Sequence, residues 1–505
     1  SIRMRAYPPR LLLLSTLVFA IASCSDRPTA VKAANGEAAQ PDIILILADD
    51  LGVGDWGAGG GEMHTPNLDK LCADGVRLDR YYTYPLCTPT RVSLMSGSSP
   101  ARYEMIFSPL RPWDARALPR DIVTLPDRLR QVGYRTALVG KWHLGHAKPW
   151  MHPNARGFDH FYGFVTGAID YVTRNSRNGG LDWQRNGQSV TEEGYSTTLF
   201  GAEAASWIGK QKKTEPFFMY LPFNAPHTPL QAPKRFTEHY TDTVSDPDRR
   251  VYCAMVEAMD EAIGKVMTAV EARGRADNTL IIFVSDNGAS PKHGGNNGPL
   301  RGGKGTTFEG SLRVPGVMHW PAELPAGTVS SQLVSSLDWY PTILDAAGTS
   351  AQNPDGINAQ PDGKSILETL SPELETQPRE DLFFATCTSK MTSYSVIRWP
   401  WKLTQRIFRG TEVTRNFLFN LSEDPKESNN LNEPEVAIGN ELREAILTWV
   451  KEVHPDGVDY HMPASCTTQT PPTGWQAPAD WTDLGTLQTV DKPQMAPAPD
   501  LREQH

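Results

Sequence analysis

Ile43-Ile44-Leu45-Ile46-Leu47-Ala48-Asp49-Asp50 passes from six apolar residues directly into two acids. The apolar run has no polar alternation, which suits a strand covered on both faces, as in a mostly parallel sheet. Three further segments share this form. Residues 280–285 end in Asp286-Asn287-Gly288, residues 136–140 end in Lys141-Trp142-His143, and residues 217–221 lead through Pro222 to Asn224-Ala225-Pro226-His227. Helical stretches lie between them, one at 125–131. A second, at 253–273, sets Ala254, Val256, Met259, Ile263, Val266, Met267 and Val270 roughly on one side. Strands alternating with helices predict an α/β fold. In such sheets ligands gather beyond the carboxyl ends of the strands. A single acid there is ordinary turn chemistry, but Asp-Asp, Asp-Asn, Lys-x-His and His at four strand ends point to one shared site.

Asp49, Asp50, Asp286 and Asn287 offer only oxygen donors, which select Ca²⁺ or Mg²⁺ over Zn²⁺. Three carboxylates brought together without a cation would repel and hold their protons more tightly. The run Pro85-Leu86-Cys87-Thr88-Pro89-Thr90-Arg91-Val92-Ser93-Leu94-Met95 carries Pro89 in the first turn of a helix reaching about Met95. Cys87 then stands at a helix N-terminus, where the dipole favours an anion. Taken alone, a cysteine reads as a small buried hydrophobe.

Cys87-Thr88-Pro89-Thr90-Arg91 resembles the C-x-P-x-R signature of the type I, formylglycine-dependent sulfatases, and 140–145 (Gly-Lys-Trp-His-Leu-Gly) resembles their second signature. The same family order is followed by Asp49-Asp50, Asn224-Ala225-Pro226-His227, Ser285-Asp286-Asn287-Gly288 and Gly303-Lys304…Glu309-Gly310…Arg313-Val314-Pro315. The likeness extends over roughly 42–431. Residues 84–89 and 294–302 look most like the arylsulfatase B-type N-acetylgalactosamine 4-sulfatases and bacterial polysaccharide sulfatases. Ser311 and Ser98 depart from the common family pattern.

The resemblance implies an alkaline-phosphatase-like large mixed-sheet domain followed by a small antiparallel sheet with a C-terminal helix. It implies that a formylglycine-generating enzyme oxidises Cys87, and that the hydrated aldehyde attacks sulfur. A geminal diol can expel sulfate by C–O cleavage, which splits one hard displacement into two easier steps. By the same resemblance Asp49, Asp50, Asp286, Asn287 and modified Cys87 hold one Ca²⁺, and Lys141 and Lys304 neutralise the sulfate oxygens. Arg91 orients the nucleophile, His143 takes the proton that releases sulfate, and His227 protonates the leaving sugar oxygen. The implied substrate is a sulfated poly- or oligosaccharide carrying 4-O-sulfate on a galactose-configured sugar. Asp170, Arg174, Arg177, Arg185 and His293 are polar loop residues that could touch that sugar. The rival readings are a phosphodiester or phosphonate hydrolase of the same superfamily and an idle glycan-binding surface lipoprotein.

Arg3, Arg5 and Arg10 precede a short apolar run ending near Ala22, too short to cross a bilayer. This reads as an export signal over 1–23, with Ile21-Ala22-Ser23-Cys24 resembling a lipobox. The expected location is therefore the periplasm or a lipid anchor at the cell envelope, with 24–40 as a tether. The catalytic domain is expected over 41–375, a small α+β domain over 376–462, and an extended Pro-rich tail over 463–505. Forty-nine basic against 58 acidic residues give a net charge of −9 with no basic run, which argues against nucleic-acid binding by bulk charge. Cys72, Cys253, Cys387 and Cys466 permit three disulfide pairings that the sequence leaves open.

Overall fold

In a computed structural model of the chain, the described residues are 39–353, 356–370, 379–411, 413–454, 466 and 470–483. The expected signal, the lipobox cysteine and nearly all of the tether lie outside them. Among the described residues no helix is long and apolar enough to cross a membrane.

The main sheet has ten strands. They are β1 (Asp42–Ala48), β2 (Val76–Tyr82), β3 (Arg135–Lys141), β4 (His160–Phe164), β5 (Gln184–Arg185), β6 (Gln188–Ser189), β7 (Phe217–Pro222), β8 (Thr279–Ser285), β9 (Gly316–His319) and β10 (Thr328–Ser335). Their spatial order is β10-β2-β9-β8-β1-β7-β3-β4-β5-β6. β1 pairs in parallel with both β7 and β8, and β3 with β7 and β4, whereas β9 runs antiparallel between β2 and β8. The sheet is thus mixed, and the four strands singled out by sequence sit side by side at its centre.

All seven residues of β1 are buried, and their alternation divides them between two cores. Ile44, Ile46 and Ala48 face a cluster that includes Phe200 and Ala204 of helix Ser196–Lys210 and Met259 and Ile263 of helix Pro247–Arg273. Ile43, Leu45 and Leu47 face Val92 and Leu94 of helix Cys87–Ser96 and Leu344 of helix Trp339–Ala346. Burying each large aliphatic side chain contributes about 1.5–3 kcal/mol, so a register slip of one residue would be opposed on both faces.

The second sheet is antiparallel, in the order β11 (Leu382–Cys387), β12 (Met391–Arg398), β13 (Trp401–Phe408) and β14 (Thr414–Asn420). Helix Val436–Val453 packs Leu442, Ile446 and Val450 into its core, together with Tyr84, Phe308 and Leu312 from connections of the large sheet. A disulfide joins Cys387 to Cys466, while Cys72 and Cys253 are free thiols. The described part of the tail lies extended on the large sheet's side. Asp480 bridges Leu181 in parallel, Trp481 Nε1 donates to the Gly179 carbonyl, and Trp475 meets the Trp113 ring edge-on.

Candidate active site

The carboxyl ends of β8, β1, β7 and β3 open onto one cluster. Asp49 and Asp50 follow β1, and the backbone N–H of Asp286 donates to the Ala48 carbonyl at 3.0 Å, which locks the two acid-bearing turns together. Asp50 N–H donates to Asp286 Oδ1 at 3.2 Å. Asp50 holds φ at 71° and His143 at 58°, conformations that cost non-glycine residues about 1–3 kcal/mol and concentrate at functional sites. Tyr252 donates to the Asp50 carbonyl, and Thr90 Oγ1 to that of Asp286.

Helix Cys87–Ser96 begins at the thiol. Cys87 Sγ lies 3.6 Å from Asp49 Oδ1. Burial pushes this thiol up to about 12, with Asp49 and Asp286 adding to the effect against Lys141 and Lys304. An unmodified thiol held there is protonated and a poor nucleophile. One turn further along, Arg91 is fully buried and donates to Asp286 Oδ2 at 2.8 Å and to the Lys141 carbonyl at 3.2 Å.

Each carboxylate has a cation. Lys141 Nζ sits 2.6 Å from Asp49 Oδ2, Lys304 Nζ sits 2.7 Å from Asp50 Oδ1, and Arg91 binds Asp286. Three acids against three bases make the cluster formally neutral, so a divalent ion would turn it positive towards an anionic ester. Burial opposes ionisation of Asp49, but Lys141, His227 and Arg91 hold its carboxyl well below the usual range. Asp286, buried and repelled by Asp49, is raised to about 6. A cation would relieve that repulsion.

The donor set fits such an ion. Asn287 donates Nδ2 to Asp50 Oδ1 at 2.7 Å, and its Oδ1 is buried without a hydrogen-bond partner. A buried amide oxygen with no partner is the kind of hard donor such a cation takes. Ligand atoms of Asp49, Asp50, Cys87 and His227 also lie within 4.8 Å of one another. His227 therefore lies beside the carboxylates as well as in the cavity lining, with Nε2 3.8 Å from Asp50 Oδ2. Its Nδ1 faces the Thr228 carbonyl at 2.7 Å, and Tyr171 clamps the loop by donating to the carbonyls of Asn224 and His227. Burial and Lys304 lower His227 to about 4. Burial and Lys141 push His143 well below its usual value. The His143 Nε2 faces the Leu110 carbonyl at 2.9 Å, leaving Nδ1 buried and unpartnered. Both shifts favour the neutral ring.

A cavity of about 510 Å³ opens above the cluster, with Cys87, His143, His227 and Lys304 in its lining. Of the five loop residues expected to touch sugar, Arg177 alone lines it; the other four are engaged elsewhere. Asp170 caps its own turn by accepting from the Val172 and Thr173 N–H groups. Arg174 is buried against the Gly194 and Glu192 carbonyls. Arg185 pairs with Glu203, and His293 bonds its near neighbour Ser290. Sequence reasoning passed over Leu110, Arg111 and Trp113 in the cavity wall; they belong to a loop with no periodicity to mark which side chains turn inward.

The sulfatase family profile matches residues 41–349. The chain belongs to the sulfatase family, the sulfuric ester hydrolases. A second profile, the C-terminal region of N-sulphoglucosamine sulphohydrolase, matches 303–452. Arylsulfatase J of Mus musculus is 40% identical over 72% of this sulfatase-family chain, which spans 60% of that relative's length. N-acetylgalactosamine-6-sulfatase of Homo sapiens is 36% identical, covering 67% of each chain. Among solved structures, Ps i-CgsB superposes with a TM-score of 0.75 at 32% identity, over 81% of this chain and 93% of that one.

Proposed function

We propose that this protein hydrolyses O-sulfate esters of sulfated poly- or oligosaccharides, with a residue made from Cys87 as nucleophile. The observation that carries the reading is the convergence of Cys87 with three buried carboxylates, the buried Arg91 and Lys141, the partly exposed Lys304 and two histidines at the floor of one open cavity. Oxidation of Cys87 to formylglycine supplies a hydrated aldehyde that the thiol cannot match, and a Ca²⁺ held by Asp49, Asp50, Asp286 and Asn287 supplies Lewis acidity. The chain's own side chains do the rest. Lys141 and Lys304 place fixed positive charge against the sulfate oxygens at the floor of the cavity. Arg91 fixes the first turn that carries residue 87, through Asp286 and the Lys141 carbonyl. His143 Nδ1 has no competing partner and accepts the proton whose loss releases sulfate. His227, in the cavity lining, is placed to serve the departing sugar oxygen.

The sugar is galactose-configured, with 4-O-sulfate as the favoured position, in a protein exported to the periplasm or anchored at the envelope by lipid on Cys24. Support for the sugar comes from the segments 84–89 and 294–302, from the human relative named for N-acetylgalactosamine 6-sulfate, and from a Ps i-CgsB structure in complex with k-i-k-neocarrahexaose. The domain division at about 376 is supported by the separate sheet that starts at Leu382. To test the reading, the protein is produced together with a formylglycine-generating enzyme, the Cys87 peptide is weighed, and sulfate release is followed on galactosamine 4- and 6-sulfates. The expected result is an aldehyde mass at residue 87 and faster release from the 4-sulfate. Faster cleavage of matched phosphate esters would overturn the reaction, and preference for the 6-sulfate the position.

A further inference from the structure

The cations around the cavity fall into two sets. Arg91, Lys141 and Lys304 are each bonded to a carboxylate of the floor. Arg111 and Arg177, in the wall of the same cavity, are not. The acid nearest Arg111 in the chain is Asp114, which is ion-paired with Arg116 at 3.1 Å and accepts the backbone N–H of Arg111 at 2.7 Å. The Nε of Arg111 is buried with no hydrogen-bond partner among the described residues. Arg177 donates Nη2 to the carbonyl and hydroxyl of Thr228, at 2.8 and 2.6 Å. Both acceptors are uncharged, and among the described residues no carboxylate forms an ion pair with Arg177. Burial disfavours the charge on Arg111, Asp114 and Cys87 favour it, and Arg177 and Arg116 oppose it again. Both guanidinium groups line the one cavity, and their planar forks match sulfate and carboxylate geometry. The scissile sulfate is served by the lysines at the floor. The wall pair is therefore free for another group.

We propose that Arg111 and Arg177 form a second anion subsite, which receives a sulfate or carboxylate other than the one being cleaved and directs the enzyme to polyanionic glycans. The proposal rests on the sulfatase reading and narrows its substrate class. Arg177 also holds Thr228, the residue after His227, so Arg111 is the cleaner probe. The experiment measures kcat and KM for sulfate release from three oligosaccharides of equal length. One carries only the scissile sulfate, one adds a second sulfate, and one adds a carboxylate instead. The matured wild-type enzyme is compared with Arg111→Ala and Arg111→Lys. The wild type should favour at least one dianionic substrate by about tenfold or more, the effect of a charge-assisted hydrogen bond. Arg111→Ala should erase most of that preference through KM, and Arg111→Lys should restore part of it. Which dianion is favoured identifies the anion. Equal losses on all three substrates, or a wild type indifferent to the second charge, overturn the subsite while leaving the hydrolase intact. If Arg111→Ala does not fold, the same preference ratio measured with Arg111→Lys and Arg177→Gln decides. Matured wild type that releases sulfate from none of them overturns the hydrolase reading, and the subsite falls with it.

Discussion

Replacing Lys402 by Met tests how the small sheet supports the catalytic loop. Lys402 is fully buried on β13, 2.8 Å from Glu309 Oε1 and 2.9 Å from Glu427 Oε1. Tyr82 donates to Glu309 Oε2, Glu427 Oε2 accepts the Glu309 N–H at 2.7 Å, and Arg301 donates to the Glu427 carbonyl. Removing the lysine leaves two buried acids face to face. Deleting one partner of a buried ionic group costs about 3–5 kcal/mol, and that range is expected here at pH 8. The cost depends on pH in a definite direction. Burial raises Glu427 from 4.5 to about 7 even with Lys402 opposing it, while Glu309 adds to the rise. A carboxyl raised in the folded state binds more protons there than in the unfolded chain, so its contribution to stability falls as pH rises from 4.5 towards 7. Without Lys402 the folded value climbs further, and the window extends upward. The Met variant should therefore lose least at pH 5 and most at pH 8, read as the shift in urea midpoint multiplied by the slope at each pH. Sulfate release should drop as well, because Lys304 lies only one short loop before Glu309. A loss below about 1 kcal/mol at pH 8, or one independent of pH, would refute the reasoning; the triple variant with Glu309→Gln and Glu427→Gln should recover much of the stability.

Removing divalent ions with a chelator should lower the melting temperature and abolish turnover, and Ca²⁺ at about 100 times its dissociation constant should return about 2.7 kcal/mol; no response to Ca²⁺ or Mg²⁺ in thermal unfolding would contradict the oxygen-donor reading. His143→Ala should lower kcat by about 10²–10⁴-fold with little change in KM, measured under saturating substrate. Cys466→Ser opens a loop with a sequence separation of 79 and should cost about 2–4 kcal/mol, checked by denaturant titration of the oxidised protein; an unchanged midpoint would mean that the tail adds nothing to the small sheet.

What could be read in the sequence was whatever is local. The strands β1, β3, β7 and β8 announced themselves because central strands buried on both faces are written as unbroken apolar runs, and their polar ends marked the site. Helix Pro247–Arg273 starts six residues before the stretch read as helical at 253–273, because Asp246 caps it and accepts from Arg249 N–H in a polar first turn. The insertion of antiparallel β9 between β2 and β8 is a long-range choice with no local signature. The partner of Cys387 was equally illegible, since pairing depends on where the tail returns. Residues expected to hold metal and nucleophile are gathered in one cluster, whereas Asp170, Arg174, Arg185 and His293 are engaged by other protein groups. Motif residues are fixed by chemistry at strand ends; sugar contacts depend on which way a loop residue turns, and only the fold decides that.

The central claim is that sulfate-ester cleavage runs through residue 87. The most direct measurement is sulfate released per enzyme from a galactose-configured oligosaccharide sulfate, by matured wild type and by Cys87→Ala, with both shown to be folded by their unfolding transitions. The account predicts multiple turnovers for wild type and a loss of at least about 10³-fold for the variant, comparable to deleting a covalent nucleophile. A Cys87→Ala protein that releases sulfate within about tenfold of wild type would contradict it.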